Sequence, residues 1–503
     1  MKRSDINFDI PTRQSYVAIL MIIYKLYRSL FRQLLPFIAI FLIGGKMSDK
    51  TEKITYFIIA AALLGTVYGI VAFFKYYFHL EEDELVIQSG VFQKKKTNIP
   101  FERIQTIDFE QNILHQMFSV VALKIDTAGS SGNEFKFDAI SKEKAEALRE
   151  LIFSKKRSRS KSYAGDLTEE KIPYDEPEVT EKILSLGVLD LLKVGITENH
   201  IRSFGLILLF GFWILETLED MNLGTEDIEK YIDAESVLVQ GIVYVVSLIL
   251  FFTILSFAIS LIRTVLNYYN LSFLRTSKGF KLIAGLLNRR EVAALDNKIQ
   301  ILQWSQNLLQ KGLQLYEIKL KQASSIEVSA KKSIKVPGSY LEQVEAVKGY
   351  LFKKQELVLD TSHKISIHYF YRSALYLTLI TILLATGFYY FGKYNQLTAL
   401  VILYFFLLLS FYLSYKKKTF TYNNYVLKIN GGTFGVGHNL MHLYKIQSIS
   451  LDQNMYQRKR DLASLKIYTA SGSMTIPYIS LTMAEKIFDY MTYKVEKSRR
   501  KWM

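Results

Sequence analysis

The stretch LVIQSGVFQKKKTNIPFERIQTIDFEQNILHQMFSVVALKIDTAGS, Leu85 to Ser130, decides the fold, because the chain writes it twice more. Phe280 opens FKLIAGLLNRREVAALDNKIQILQWSQNLLQKGLQLYEIKLKQASS, and Leu427 opens LKINGGTFGVGHNLMHLYKIQSISLDQNMYQRKRDLASLKIYTASG. The three align without a gap. Gly90, Gly285 and Gly432 coincide, then Ile104-Gln105, Ile299-Gln300 and Ile446-Gln447, then Gln111-Asn112, Gln306-Asn307 and Gln453-Asn454. Such self-similarity marks one structural unit used repeatedly. Inside it Leu85, Ile87 and Val91, then Ile104, Ile107 and Phe109, then Val121, Leu123 and Ile125 alternate with polar neighbours, which predicts strands of a small sheet. The aligned glycines suit a turn or bulge with positive φ, and the Asn suits a left-handed position or a cap on the short turn Ile113 to Phe118. A terminal amphipathic helix is signalled by capping boxes at Ser339/Glu342 and Thr482/Glu485, and by Ser141 before Lys142 to Phe153.

Outward from the repeats lie apolar runs long enough to span a hydrocarbon core, which takes about 20 residues as a helix. Four are plain: Tyr56 to Phe74, Val237 to Ile262, Ser373 to Gly392 and Tyr394 to Tyr415. Ser29 to Gly45 and Ile201 to Leu218 reach that length if Arg32, Arg202 and Glu216 snorkel to the interfaces. The six pair into three hairpins, each opening on Arg-Ser (Arg28-Ser29, Arg202-Ser203, Arg372-Ser373). Their closing loops are Lys46 to Thr55, the acidic Glu219 to Ser236 and a turn at Lys393, whereas Lys94 to Lys96, Lys155 to Lys161, Arg289, Arg290, Lys416 to Lys418 and the basic tail lie on the other side. The positive-inside rule puts both termini and every polar module in the cytoplasm.

Composition agrees. At 503 residues, 50% hydrophobic, 14% aromatic and a mean hydropathy of +0.13 exceed what a soluble chain carries. A formal charge of +16 favours anionic surfaces, lipid headgroups before nucleic acid, for which no recognition motif is present. The absence of cysteine excludes disulfides, thiolate metal sites and cysteine nucleophiles. The N-terminal stretch has no small-residue cleavage site, so no signal peptide is expected to be removed. Gln14 to Phe31, and Ser185 to Lys193, are expected to lie along the interface ahead of the first two hairpins.

The run Ile99, Pro100, Arg103, Ile104, Gln105, followed by Gln111-Asn112 and Thr127 to Ser130, resembles the second class of bacterial pleckstrin-homology-like (PH-like) domains. Three copies, each behind a helix hairpin, are similar to the YdbT-type membrane proteins over nearly the whole chain. The second copy has Gln322-Ala323-Ser324 in place of Thr-Ala-Gly, and the later copies lack the Ile-Pro. The resemblance implies a seven-stranded, partly open barrel capped by the terminal helix. It also implies either a homo-oligomer or a small companion with a single PH-like domain.

Chemistry-bearing constellations are few. His438 and His442, four apart, would share a helix face for a metal, but residue 439 is not Glu and they align with Lys96 and Pro100 in strand or loop, so structural roles are expected. Gly432, Gly435 and Gly437 lack the Lys-Ser/Thr of a phosphate loop and read as a turn. The Ile-Gln and Gln-Asn pairs read as fold determinants. No Gly-x-Ser-x-Gly or His-Glu-x-x-His occurs, and neither catalysis, a cofactor nor a metal is expected. The basic clusters carry the functional signal. Lys94, Lys95 and Lys96 and, nearly in register, Arg289 and Arg290 follow the aligned glycine; Lys155, Lys156, Arg157, Arg159 and Lys161 open a linker that turns acidic. These are the candidate headgroup ligands.

The expected organisation is an interfacial helix and first hairpin (1–75), a PH-like domain (76–155), a basic-then-acidic disordered linker (156–182), a second hairpin (183–266) and domain (267–355), a third hairpin (356–415) and domain (416–495), and a basic tail (496–503). The expected function is non-enzymatic: a bacterial inner-membrane α+β protein whose three cytoplasmic domains bind anionic lipid, membrane protein partners or both, with envelope protection as one consequence. The rival is a transporter or lipid-handling protein, which would line its hairpin bundle with Thr55, Thr66, Gln240, Thr264, Thr378 and Thr381.

Overall fold

A computed structural model describes residues 8–44, 49–127, 135–162, 179–198, 234–323, 333–359, 361–390, 392 and 394–498. The expected span Ile201 to Leu218, most of the acidic loop after it, the linker residues 163–178 and the end of the basic tail lie outside them. The first module contains β1 (Tyr77–Glu81), β2 (Glu84–Ser89), β3 (Lys95–Pro100), β4 (Ile104–Gln111), β5 (Val120–Thr127) and β6 (Phe135–Ser141). The second contains β7 (Val179–Ser185), β8 (Ser272–Thr276), β9 (Gly279–Ala284), β10 (Arg289–Leu295), β11 (Ile299–Gln306), β12 (Tyr316–Gln322) and β13 (Ile334–Ser339). The third contains β14 (His363–Lys364), β15 (Thr419–Tyr422), β16 (Val426–Gly431), β17 (Val436–His442), β18 (Ile446–Asp452), β19 (Leu462–Thr469) and β20 (Gly472–Ser480).

The repeat is structural down to single residues. Gly90, Gly285 and Gly432 have φ of 114°, 108° and 128°. A Cβ there would meet the carbonyl oxygen of Gln93, Asn288 or Gly435 at 1.9, 2.2 or 2.5 Å, so only glycine closes this turn. At Ile-Gln the pairing register slips by one in each copy (between Ile104/Thr106, Ile299/Ile301 and Ile446/Ser448), a β-bulge whose extra residue is the Gln. Asn112, Asn307 and Asn454 cap the short helices Ile113–Met117, Leu308–Gly312 and Met455–Arg458, each Oδ1 accepting a backbone N–H three residues on at 2.9, 2.7 and 2.8 Å. The preceding Gln111, Gln306 and Gln453 donate across to the carbonyls of Val120, Leu315 and Leu462. Gln and Asn therefore hold one corner together, and the Ile-Gln bulge lies at the other end of the same strand.

The chain divides into two compact units. In the first, residues 1–178, 187–271 and 283–292, the first module buries Phe78, Leu85, Ile104, Leu123, Phe137, Leu148 and Ile152 in one core, with Phe78 and Phe137 edge to face at 4.8 Å. Each such side chain contributes about 1.5–3 kcal/mol by leaving water. The helix Val17–Gly44 runs unbroken, correcting the expected turn between an interfacial segment and a span. Its first half packs Ala18 and Met21 against Phe73, Val120 and Ala139. Ahead of it, Gln14 Oε1 accepts from the backbone of Asp138 and Ala139, Phe8 enters the core, and Thr12 bridges Phe78. The terminal helix of this module extends as Lys142–Ser162, through the basic run assigned to the linker, and Ser141 Oγ accepts from Lys144 N at 3.4 Å at its start.

In the second unit, residues 179–186, 272–282 and 293–503, the order β13-β12-β11-β17-β16-β15-β14 makes a single seven-stranded sheet, and β18-β19-β20 a separate one. The expected barrel is thus replaced by open sheets. Strands of one module end on strands of the next instead of closing on their own. β7 comes from the end of the expected linker and the start of the expected second hairpin, and β14 from the expected third hairpin; β7 pairs β8 and β14 pairs β15. The expected capping boxes are displaced: Ser339 is buried in β13 and the helix Leu341–Leu351 is capped at Tyr340, whose N–H Gln343 accepts at 2.8 Å. Ser480, not Thr482, precedes the helix Leu481–Lys497, without a side-chain cap.

Among the described residues three helices are long and apolar enough to cross a membrane: Leu250–Tyr268, His368–Tyr390 and Leu400–Lys417; Ala60–Phe74 is apolar but shorter. Three of the threonines named for the rival reading meet their own helix backbone. Thr66, Thr378 and Thr381 hydroxyls donate to carbonyls four residues back at 2.8 Å, and Thr66 and Thr378 also meet Tyr27 and Tyr404.

Candidate membrane-facing site

The glycine forces the β2–β3 turn back on itself and throws Phe92 clear of the module, 93% exposed. Its ring stacks on Tyr68 of the apolar helix at 6.2 Å. The equivalent turn in the third module sets Phe434 on Phe406 at 5.5 Å, and Lys417 Nζ donates to the carbonyls of Thr433, Phe434 and Gly435 at 2.6, 2.8 and 2.9 Å. In the second module, Leu286 and Leu287 are exposed there, and Gly285 and Leu286 donate to the carbonyls of Tyr269 and Leu266 at the end of an apolar helix. Each turn therefore lies against the apolar helix that precedes its module. Phe92, Leu287 and Phe434 align, so a large apolar residue two places after the glycine is a signal that sequence reasoning passed over.

Lys94 and the first two residues of β3, Lys95 and Lys96, are exposed beside Phe92, with Lys96 Nζ 3.5 Å from Glu81. Arg289 and Arg290 follow the equivalent turn of the second module but differ in their neighbours. They open β10, which pairs with β4 (Arg289 opposite Gln111, Arg290 opposite Glu110, Glu291 opposite Phe109), and the Arg290 guanidinium lies over Tyr268 at 5.6 Å. Lys155 donates to the Glu82 carbonyl at 3.3 Å and lies over Phe101, at the opposite end of the β2–β3 ribbon from Lys94 to Lys96. Lys156, Arg157, Arg159 and Lys161 continue its helix. The expected ligands thus separate into an exposed group at the turn against the apolar helix, a group that opens a paired strand, and a helical group at the other end of the ribbon.

His438 and His442 occupy one face of β17, roughly 13 Å apart along a strand. His438 accepts structural partners: Trp304 stacks on it at 5.0 Å and Asn430 Oδ1 lies 2.7 Å from Nδ1. Burial, with Lys428 and Lys348 nearby, pushes its pKa down to about 4. His442 stacks on Phe352 at 4.4 Å and meets the Leu351 carbonyl. It borders a cavity of about 160 Å³ with Tyr350, Asn297, Gln300 and Lys445. Lys445 donates to the carbonyls of Asp296 and Ile299, and burial pushes its pKa down to about 8.

The family described as "Bacterial PH domain" matches residues 30–156, 221–355 and 375–495, together more than half of the chain. A curated relative, "UPF0699 transmembrane protein YdbT" of Bacillus subtilis (strain 168), is 23% identical over 314 residues, 60% of this chain. The aligned chain spans about 60% of that relative's length.

Proposed function

The chain belongs to the bacterial PH domain family, and from that premise we propose that it is a six-span inner-membrane protein, both termini cytoplasmic, whose modules bind anionic headgroups without catalysis. One observation carries this reading: Phe92 rests on an apolar helix with Lys94, Lys95 and Lys96 exposed next to it. An apolar anchor beside a lysine cluster suits the headgroup boundary, where each cation gains about 1 kcal/mol from an anionic leaflet. Membrane partners and envelope protection would follow from such docking.

The test uses the whole chain in nanodiscs with a fluorophore on a Gln93→Cys variant. Quenching by headgroup-labelled phosphatidylglycerol should exceed that by labelled phosphatidylcholine, and the excess should fall with salt, which screens over about 8 Å at physiological strength. It should vanish when Lys94, Lys95 and Lys96 become Gln. Equal quenching by both lipids sinks the reading. In cells, cysteines at 158 and 222 report topology, the first labelled only after permeabilisation and the second from outside.

A further inference from the structure

Two strand junctions between successive modules use one geometry. β4 meets β10 with Gln111 opposite Arg289, and β11 meets β17 with Gln306 opposite Val436. In the gapless repeat alignment Gln111 is Gln306 and Arg289 is Val436, so the register is the same at both. Continued once more, the rule takes β18 to a strand equivalent to β10 and β17, and that strand is β3. Both β3 and β18 end three-stranded sheets.

We propose that a second copy of this chain supplies the missing strand: β18 of one molecule pairs antiparallel with β3 of another. The register is fixed by the internal junctions: Asp452 opposite Lys95, Leu451 opposite Lys96 and Ser450 opposite Thr97. The charges fit, because the β4–β10 junction sets Glu110 against Arg290 at the position where Asp452 would face Lys95. A side-chain contact at the first junction has a counterpart here. Gln116, one turn past β4, donates to the carbonyls of Leu286 and Leu287; its equivalent Arg458 would reach those of Val91 and Phe92. So does one at the second. Lys445 reaches the carbonyls of Asp296 and Ile299, and its equivalent Arg103 is exposed, placed to reach those of Leu443 and Ile446. Strand addition of this kind gains affinity from main-chain bonds and specificity from side chains, and a head-to-tail interface builds a ring or a chain.

The chain has no cysteine, so the test is clean. Full-length Lys95→Cys and Asp452→Cys variants carrying different tags are co-expressed, and isolated membranes are oxidised. Directly opposed residues bring their Cα atoms within disulfide range, about 4.5–5.5 Å. A band carrying both tags is expected, absent when Asn98→Cys replaces Lys95→Cys. Lys95→Glu should lower native dimer yield several-fold by setting like charges opposite, and Asp452→Lys in the same chain should restore it. Three outcomes overturn the proposal: no mixed band, a Lys95→Cys band with its own kind only, or a band with a smaller protein that excludes the second copy. Unchanged dimer yield in Lys95→Glu also overturns it.

Discussion

β11 and β18 are the same strand of the repeat with different neighbours. β11 lies between β12 and β17, and its Gln300, Ile301, Leu302 and Trp304 are all under 5% exposed. β18 pairs only β19, and the equivalent Gln447 and Ser448 are exposed while Ile449 and Leu451 are half-buried. A covered strand tolerates apolar residues on both faces, whereas an edge strand is polar and charged where another strand would approach. The difference shows that neighbours, rather than the module's own fold, set how deeply this strand is buried.

The largest expected effect breaks the comparison at one residue. Trp304 is stacked on His438, with Lys348 over its ring at 4.4 Å, so Trp304→Ala should cost about 3–5 kcal/mol. The equivalent Leu451→Ala should cost about half of that or less, since Leu451 is only half-buried. Thermal unfolding of the full chain in detergent, followed by near-ultraviolet circular dichroism, compares them; equal losses would remove the distinction. Next is Gly435, where a Cβ would stand 2.1 Å from the Gln306 carbonyl oxygen. Gly435→Ala should destabilise by about 1–3 kcal/mol through overpacking at the β11–β17 junction. The aligned Gln93 is exposed ahead of β3 and already carries a Cβ, so it should tolerate alanine within about 0.5 kcal/mol.

Much of this was legible in the sequence. The modules, their strands, the glycine turn and the asparagine cap follow from spacing, because each is a local requirement of the backbone. The junctions were not legible, since alternation shows which side chains a strand buries and not which strand lies beside it. That is why the pairing of Arg289 and Arg290 with β4 was not foreseen. β7 and β14 were hidden by the long segment between each of them and the strand it pairs with. The left-handed Ser119, Gln314 and Asp461, aligned after the short helices with φ of 51°, 54° and 51°, carry no glycine to announce them.

A smaller effect is set by pH. The imidazole of His438 is held down to about 4, chiefly by burial, so the unfolded chain takes up the proton first as pH falls. Stability should be intact above about 6.5 and decline between 6.5 and 4. After allowance for partial exposure the loss is about 1–2 kcal/mol. His438→Gln should flatten that window in a pH series of unfolding midpoints. The aligned Lys96 on β3 should leave the window unchanged when replaced by Gln.

The smallest effect should be indifferent to neighbours, which makes it the sharpest control on the comparison. Asn112, Asn307 and Asn454 each satisfy an orphan N–H at the start of a short helix, at 2.9, 2.7 and 2.8 Å. Losing such a cap costs about 1 kcal/mol wherever the helix lies. The reciprocal contact differs. Gln310 and Gln457 accept from the asparagine N–H at 2.9 and 3.0 Å, while in the first module His115 Nδ1 takes that place at 3.3 Å. Asn307→Ala and Asn454→Ala should therefore match one another within about 0.5 kcal/mol, although one follows a covered strand and the other an edge strand. A loss at Asn307 several times that at Asn454 would mean that the junction stiffens the corner as well as the strand, and the separation between local requirements and neighbour-set burial would fail.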